Sequence, residues 1–505
     1  MRQSLLFKIF NTRLFFLTIS IFLIFLSVLG GPDVKIFALL SSFNFHEIIT
    51  LFNKSDSFFR MPDTNFRILV FILSIIILII SSLNSSSFYE SNKYIQYFFV
   101  FFSSIFFLSL LITDNLYNIS ALFLILISIY YYIYKASNTF ENIEIYFISS
   151  YLLFSILPFL HSFFITSSIV EVDNYTRFLL AIPLYLMIRD LSFNKEQFLY
   201  LINVSAIILL PITIYFSMID NGRVRLFTSS ATIVSNIAIT LFLFSILSIY
   251  FFKKYDLKYQ FIPYIGSISA LYCWGQSGSR FTLIIPIVVL LFTILHSRFR
   301  KYILPILNIR NIIFVFILFI TIFSSISFDR FGNLNLSSFS TYDKSESNYW
   351  MKKDSVVPRL LIWDGSINLI QENPVLGIGL DNFNKELHRQ ILDNKIQPIR
   401  KDLKNPTAGL NHAHSQYLDI FVKLGFFGFL MLLYFIFINF YFFSKLRNLV
   451  NDEMYPVFGQ LFIFIHSLIM INHVILSHHQ STIFMIFSLM FFGGLSMADK
   501  KRGTY

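Results

Sequence analysis

Apolar runs of about 20 residues recur along the whole chain and alternate with short polar breaks. A run of that length crosses the hydrocarbon core of a bilayer as an α-helix, which satisfies its own backbone hydrogen bonds there. The pattern therefore predicts an all-α, polytopic helical integral membrane protein with about 12–14 transmembrane helices. The predicted spans lie near 13–30, 66–83, 94–113, 116–134, 144–165, 177–191, 198–217, 230–252, 260–276, 281–297, 311–328, 425–443, 457–472 and 482–498.

One connection differs from the other polar breaks in its length. Residues 329–413 contain no apolar run that could cross a bilayer, and they combine mixed charge with helix-compatible stretches. Loops of this length usually have a function. The predicted organisation is an N-terminal transmembrane part, 1–328, a large loop, 329–413, and a C-terminal transmembrane part, 414–505. The less apolar stretch 34–60 is interpreted as an interfacial segment, and its role stays open.

The distribution of basic residues predicts the orientation of the chain in the membrane. Short cytoplasmic loops are enriched in lysine and arginine. If the N-terminus is cytoplasmic, alternate breaks carry the basic residues, both termini are cytoplasmic and 329–413 lies on the outer side. The predicted cytoplasmic residues are Lys135, Arg189, Lys195, Lys253, Lys254, Lys258, Arg298, Arg300, Lys301, Arg310, Lys445, Arg447, Lys500, Lys501 and Arg502. The outer breaks contain few lysines but several isolated arginines, which this rule does not explain.

Composition excludes several classes of protein. The chain is 56% hydrophobic and 13% charged, against roughly 45–50% and about 25% in an ordinary soluble domain, so it is not a soluble globular protein. The net charge is +11 without a polybasic, aromatic-interleaved patch, so no nucleic-acid partner is expected. A single cysteine, Cys273, allows neither an intramolecular disulfide nor a thiolate metal site. The expected surroundings are a lipid bilayer.

Two histidines at the end of the large loop, His412 and His414, are the densest candidate for chemistry. A zinc site would need a third ligand, and the remaining histidines are too scattered along the chain to nominate one, so no metal is expected. In a second interpretation, the histidines and Ser415 cap the following helix at the interface. In a third, a neutral imidazole accepts a proton from an attacking hydroxyl. The residues alone leave the last two interpretations open.

Three outer arginines favour an anionic substrate. Arg280 follows Ser277-Gly278-Ser279 at the outer end of a predicted helix, Arg359 lies in the large loop, and Arg177 begins another helix. A guanidinium stays charged, and its planar fork matches two phosphate oxygens. The alternative for each is an ordinary interfacial or ion-paired arginine, and this alternative is stronger for Arg177.

Two pairs of glycines suggest close backbone approach. Gly377 and Gly379 lie in a turn-rich stretch without the strand and helix context of a nucleotide site, so we predict that they permit a sharp turn or close packing. Gly425 and Gly428, at the start of a predicted span, are expected to let that helix approach a neighbour and so support His414.

The candidate residues belong to a series of spaced motifs in the second half of the chain. The motifs are Arg359-x-x-x-Trp363, then Asn373-Pro374-x-x-Gly377-x-Gly379-x-x-x-Phe383, then His412-x-His414-Ser415 and, after nine residues, Gly425-x-x-Gly428. Together they resemble the O-antigen ligase and polymerase superfamily. One departure is Phe429, which stands where the family has a small residue and which affects the expected packing of the helix.

The resemblance implies an inverting, metal-independent and cofactor-free glycosyltransferase of the bacterial inner membrane, with its active site on the periplasmic side. The donor would be a glycan on undecaprenyl pyrophosphate and the acceptor a hydroxyl of lipid A–core. His414 would deprotonate that hydroxyl, while Arg280 and Arg359 would hold the pyrophosphate. Arg177 and His412 would be further substrate-binding residues.

Other functions fit the same pattern. A polymerase would transfer the glycan to another lipid-linked repeat unit, and a protein O-oligosaccharyltransferase would transfer it to serine or threonine. A transporter of lipid-linked oligosaccharides belongs to a different class. Transporters place ionisable residues near the bilayer midplane, often in repeated halves, whereas the candidates here gather at the outer surface and no repeat is visible.

Overall fold

The structure is a computed structural model of the whole chain. It describes residues 93–111, 116–134, 142–161, 173–191, 195–219, 223–306 except 229, 254, 256 and 280, 311–313, 316, 320, 356–399, 407, 409–449, 453–475 and 478–491. The predicted spans 13–30 and 66–83, the segment 34–60 and most of the span 311–328 lie outside the described residues.

Within that part of the chain, all regular secondary structure is helical. A 3-10 turn, Phe281–Leu283, precedes the ninth helix. The helices are α1 (Lys93–Ser109), α2 (Leu116–Tyr134), α3 (Asn142–His161), α4 (Asp173–Leu191), α5 (Lys195–Ile219), α6 (Ala231–Phe252), α7 (Leu257–Gln260), α8 (Ile262–Ser277), α9 (Ile284–Leu295), α10 (Ser297–Ile303), α11 (Val356–Glu372), α12 (Phe383–Leu392), α13 (Gln416–Leu449), α14 (Met454–Ile469) and α15 (His478–Met490).

The apolar pattern located most of these helices to within a few residues. Three of them, in α5, α6 and α13, are long and apolar enough to cross a membrane, and seven shorter apolar helices accompany them in the described residues. The prediction of an all-α polytopic membrane protein is confirmed. Seven predicted spans, 177–191 and 281–297 among them, correspond to these shorter apolar helices.

The span predicted at 425–443 lies in the second part of α13. The helix α13 begins at Gln416 and leaves the helical conformation at Gly425, where the predicted span begins. The first turns of α13 contain Asp419 and Lys423, whose charges end an apolar run in the sequence. In the structure their side chains are buried and pair with each other at 3.4 Å, so the helix continues through them.

The chain divides into two compact units, residues 1–127 and 128–505. In the first unit, α1 and the first half of α2 pack through aromatic rings, with Phe102 stacked on Phe123 at 4.7 Å. In the second, α8 packs along both α5 and α6, while α13 packs against α3, α11 and α14. The helix α13 thus connects the membrane helices of this unit with the large loop.

The large loop contains a folded helical part. Its helices α11 and α12 pack together over a core of apolar side chains, and Val422 of α13 belongs to the same core. At the far end, Arg389 pairs with Glu386 at 2.7 Å and also with Glu372, which Lys395 contacts as well. The core consists of Leu361, Ile362, Leu369, Ile378, Phe383, Leu387, Ile391, Ile396, Ile399, Leu410, Ala413 and Val422.

Candidate active site

The turn between α11 and α12 is docked on a break in α13. At Gly425 the backbone of α13 leaves the helical conformation, with φ 66° and ψ −161°. A Cβ at Gly425 would lie 2.1 Å from the Val375 carbonyl oxygen, and one at Gly377 would lie 2.6 Å from the Gly425 nitrogen. Three backbone hydrogen bonds of 2.9 Å join the segments, from Ile378 N–H to Val422, from Gly379 N–H to Lys423 and from Phe426 N–H to Pro374.

The glycine predictions met different outcomes. Gly377 and Gly425 permit a close approach of two backbones, as predicted, but the partner of Gly425 is the loop turn and not another transmembrane helix. For Gly428 the nearest atoms that a Cβ would meet belong to Leu424 and Ile420 of the same helix, so the approach to a neighbouring helix stays a prediction. Phe429 stacks on the Phe421 ring at 5.0 Å, so the large residue packs along its own helix.

His412 and His414 lie in a tight turn that leads into α13. Their rings meet edge to face at 4.5 Å, and the His414 N–H donates to His412 Nδ1 at 3.3 Å. His414 has φ 54°, in the left-handed region that non-glycine residues rarely adopt. Ala413 between them is fully buried; its N–H donates to Asp419 Oδ1 at 2.9 Å, and its carbonyl accepts the Trp363 Nε1–H at 3.0 Å.

Arg359 lies beside this turn, at the start of α11. Its Nη1 donates to Asn472 Oδ1 at 3.2 Å, in the connection between α14 and α15. The same connection is fastened to the start of α13, because the Gln416 N–H donates to the Met470 carbonyl at 2.8 Å. The structure therefore brings together Arg359, both histidines of the turn and the segment that follows α14.

That connection contains a third histidine that the sequence did not nominate. His473 interacts electrostatically with His412, His414 and Arg359, so it belongs to the same cluster. Its Nε2 is buried and has no hydrogen-bond partner among the described residues. The only signal in the sequence is an Asn-His pair between two apolar runs, which does not reveal which distant loop it meets.

Burial sets the protonation of the three histidines. It is the largest cause that lowers the pKa of His414 to about 3, and His412 and the positive charge of Arg359 lower it further. Burial likewise lowers the pKa of His473 to about 3 and lowers that of His412. Burial also lowers the pKa of Arg359, but a guanidinium remains charged at neutral pH. At pH 7 the cluster therefore combines neutral imidazoles with one half-buried cation.

The other two predicted arginines are not placed by the structure at this cluster. Arg280 lies outside the described residues, although Ser279 and Phe281 on either side are described. The turn before it is held by Thr282, whose Oγ1 accepts the Trp274 Nε1–H at 2.7 Å and donates to the Ser279 carbonyl at 3.0 Å. Arg177 lies within the first two turns of α4, and its side chain is not described.

The metal alternative finds no ligand set in the described part of the chain. No three His, Cys, Asp or Glu side chains there are arranged to hold a metal ion. The carboxylate nearest the histidine turn, Asp419, pairs with Lys423. What the cluster offers chemically is a neutral imidazole that can accept a proton and a guanidinium that can bind an anion.

Comparison with known proteins agrees with the motifs. Residues 265–433 match the family model described as O-antigen ligase. A protein of Haemophilus influenzae described as uncharacterized is 28% identical over 412 residues, which covers 79% of this chain and 98% of the relative. The matched segment contains Arg280, Arg359, His412 and His414. Over residues 265–433 the chain therefore carries a segment that matches the O-antigen ligase family, and this match, together with the apolar helices, supports a membrane enzyme of the O-antigen ligase or polymerase type.

Proposed function

We propose that this protein is an inverting, metal-independent glycosyltransferase that moves an O-antigen glycan from undecaprenyl pyrophosphate to a hydroxyl of lipid A–core. The observation that carries the proposal is His414, a neutral imidazole in a half-buried turn whose pKa is lowered by the charge of Arg359. A base and an anion-binding cation at one place are the two groups that such a transfer needs.

In the proposed reaction, an imidazole nitrogen of His414 takes the proton of the acceptor hydroxyl. The hydroxyl oxygen attacks the anomeric carbon from the face opposite the pyrophosphate, and the bond from that carbon to the pyrophosphate oxygen breaks. The electron pair leaves with undecaprenyl pyrophosphate, whose growing charge is balanced by Arg359 and, in this proposal, by Arg280. Because the arginines stabilise the leaving group, no carboxylic acid has to protonate it.

The low pKa of His414 fits this order of events. A pKa of about 3 keeps the imidazole unprotonated, but it also makes His414 a weak base in the empty site. A bound pyrophosphate would bring negative charge next to Arg359 and offset one of the causes that lower the pKa of His414. Donor binding would thus strengthen the base when the acceptor needs it.

The remaining polar groups have places in the same proposal. His412 orients His414 through the Nδ1 contact, and the Nε2 of His473, which has no partner within the described ranges, is available to a substrate hydroxyl or phosphate oxygen. Arg177 would contact a substrate phosphate. The reaction would occur at the periplasmic face of the inner membrane, with 329–413 as the periplasmic loop between the membrane parts 1–328 and 414–505, and with both termini in the cytoplasm.

The donor chemistry is shared with a polymerase, whose acceptor is a second lipid-linked repeat unit, and with a protein O-oligosaccharyltransferase. Deleting the gene distinguishes the three activities. We expect glycan to disappear from lipid A–core; shortening to single repeat units would indicate the polymerase, and loss from protein would indicate the O-oligosaccharyltransferase.

The test of the base is glycan transfer in membranes that contain His414→Ala, from a defined undecaprenyl-pyrophosphate glycan to lipid A–core. We expect transfer to fall by about 10²-fold or more at an unchanged protein level, because no imidazole is left to take the proton of the attacking hydroxyl. A lipid-linked oligosaccharide flippase, by contrast, would keep its activity without His414.

The matched control is His388→Ala in the same loop. His388 lies on α12, and its Nδ1 is 3.4 Å from Thr407 Oγ1. The substitution therefore removes an imidazole of the same loop without changing the histidine cluster. Near-wild-type transfer by His414→Ala would overturn the mechanism and return the histidine pair to the interpretation of an interfacial cap.

A further inference from the structure

A buried ion pair lies directly beneath the histidine turn. The Asp419 and Lys423 side chains, one helical turn apart on α13, are paired at 3.4 Å. Asp419 is 2% exposed and Lys423 is 3% exposed, and charged residues are almost never buried to this degree without a specific partner. Removing two charges from water is costly, so a pair at this place needs an explanation beyond stability.

The Asp419 carboxylate uses its two oxygens for different contacts. Oδ2 faces Lys423, whereas Oδ1 accepts the Ala413 N–H at 2.9 Å, six residues back along the chain. A carboxylate in the first turns of a helix is also favoured by the exposed amides there. Asp419 therefore holds the peptide between the two histidines from the side of α13.

The other side of the same peptide is held by the loop. The Ala413 carbonyl accepts the Trp363 Nε1–H, and Trp363 lies one helical turn after Arg359 on α11. Fixing the Ala413 peptide from both sides matters because His414 has φ 54°, a conformation that persists in a non-glycine residue only where its surroundings enforce it. If these hydrogen bonds are lost, the turn can relax and His414 can move.

Lys423 connects the pair with the docked loop. Its carbonyl accepts the Gly379 N–H at 2.9 Å, and its ammonium lies 6.0 Å from the centre of the Phe383 ring. Lys423 also offsets the effect of the Asp419 charge on the histidines. The carboxylate of Asp419 raises the pKa of His412, and the ammonium of Lys423 lowers it.

We propose that Asp419 and Lys423 are positioning residues for His414: the Asp419 carboxylate fixes the Ala413 peptide, and Lys423 neutralises that carboxylate next to the histidines. The proposal rests on the proposed function of His414 as the base. Neither residue touches the substrate. Their effect is to keep the imidazole at the place where the acceptor hydroxyl meets the anomeric carbon.

The test compares two double variants, Asp419→Asn/Lys423→Met and Asp419→Leu/Lys423→Met. Both remove the two charges, and asparagine and leucine have similar shapes, but only asparagine keeps an oxygen that can accept the Ala413 N–H. We expect the asparagine variant to keep kcat for transfer within about 5-fold of wild type, and the leucine variant to lose at least about 10-fold more. The KM for the lipid-linked donor should be unchanged in both, since Arg359 is untouched.

Two outcomes would overturn the proposal. One is an equal kcat in the two double variants, which would mean that the hydrogen bond to Ala413 does not position the base. The other is a rise of the donor KM in step with the fall of kcat in the leucine variant, which would indicate general damage to the site. If the leucine variant does not accumulate in the membrane, Trp363→Phe removes the other hydrogen bond to Ala413 and should lower kcat at an unchanged donor KM.

The same comparison in the His414→Ala background separates this proposal from the proposed function. If His414 is the base, the difference between the asparagine and leucine variants disappears there, because no base is left to position. If His414→Ala retains transfer, the proposed function fails. If His414→Ala abolishes transfer while the asparagine and leucine variants are alike in the wild-type background, only the role of Asp419 and Lys423 fails.

Discussion

At the scale of single residues, the surroundings of His414 determine its protonation and its backbone conformation. The sequence indicated an imidazole near the outer surface, but the histidine pair alone left both a cap and a base open. In the structure, burial, His412 and Arg359 all lower the pKa of His414, and its backbone is held at φ 54°. A histidine that only capped a helix at a wet interface would need neither burial nor a strained backbone.

The protonation of His414 leads to a prediction about pH. Because its pKa in the free enzyme is about 3, kcat/KM for the donor should show no acid limb from His414 between about pH 5 and 8. At saturating donor, the negative pyrophosphate raises this pKa, so kcat should begin to fall at a higher pH as the solution is acidified. Initial rates of transfer across this range, at limiting and saturating donor, measure both profiles.

The prediction is contradicted if both kcat/KM and kcat fall on the acid side with the same midpoint, near the pKa of an ordinary histidine. That would place His414 in a water-like environment, independent of the donor. The His388→Ala variant should reproduce the wild-type profiles and so serves as the control.

His473 and Asp419 show why part of the site could not be predicted from the sequence. The local motifs located His412, His414 and Arg359, because each lies in a recognisable run of residues. His473 lies 59 residues beyond His414 and meets it only because α13 and α14 pack together and the connection after α14 returns to the turn. In the sequence Asp419 is a carboxylate without a visible partner, since one sequence does not reveal that it accepts the N–H of Ala413.

At the scale of elements, the docking of the loop turn on α13 is the contact that places Arg359 and the histidine turn on the same framework. Apolar periodicity predicted α13 from the point where charges stop, but it did not predict the break at Gly425. Three backbone hydrogen bonds join the turn to that break, so the loop is fixed to the membrane helix on both sides of the glycine. A break with φ 66° requires a residue without a Cβ at this distance.

We predict that Gly425→Ala is destabilising beyond the cost of its backbone conformation. A methyl group there would lie 2.1 Å from the Val375 carbonyl oxygen, so the loop turn must move away from α13. The cost should be about 3 kcal/mol or more, seen as a lower thermal unfolding midpoint in detergent and faster proteolysis within the loop.

The control for this substitution is Gly409→Ala. Gly409 also has a positive φ, 70°, but it is exposed. It should therefore lose only about 1 kcal/mol from the left-handed backbone. Equal losses in the two variants would mean that the contact with Val375 contributes nothing.

At the scale of the whole molecule, composition and apolar periodicity were sufficient for the class of fold, because a bilayer leaves helices as the simplest way to satisfy buried backbone groups. They located α2 at 116–134 without error and most other described helices to within a few residues. The folded core of the large loop was beyond this method. Its helices α11 and α12 are only partly apolar, and they are stabilised by packing against each other and Val422.

The orientation of the chain is the property on which the location of the reaction depends, and a pair of lysines can test it. Lys395 lies in the large loop and Lys253 in a predicted cytoplasmic break, and both are exposed. The single native cysteine, Cys273, is fully buried, so Lys395→Cys and Lys253→Cys can be labelled over a low background. In spheroplasts, a membrane-impermeant maleimide should label Lys395→Cys at once and Lys253→Cys only after the membrane is permeabilised. The reverse order would put the histidine cluster in the cytoplasm, away from any periplasmic acceptor, and would exclude lipid A–core at the outer face as the substrate.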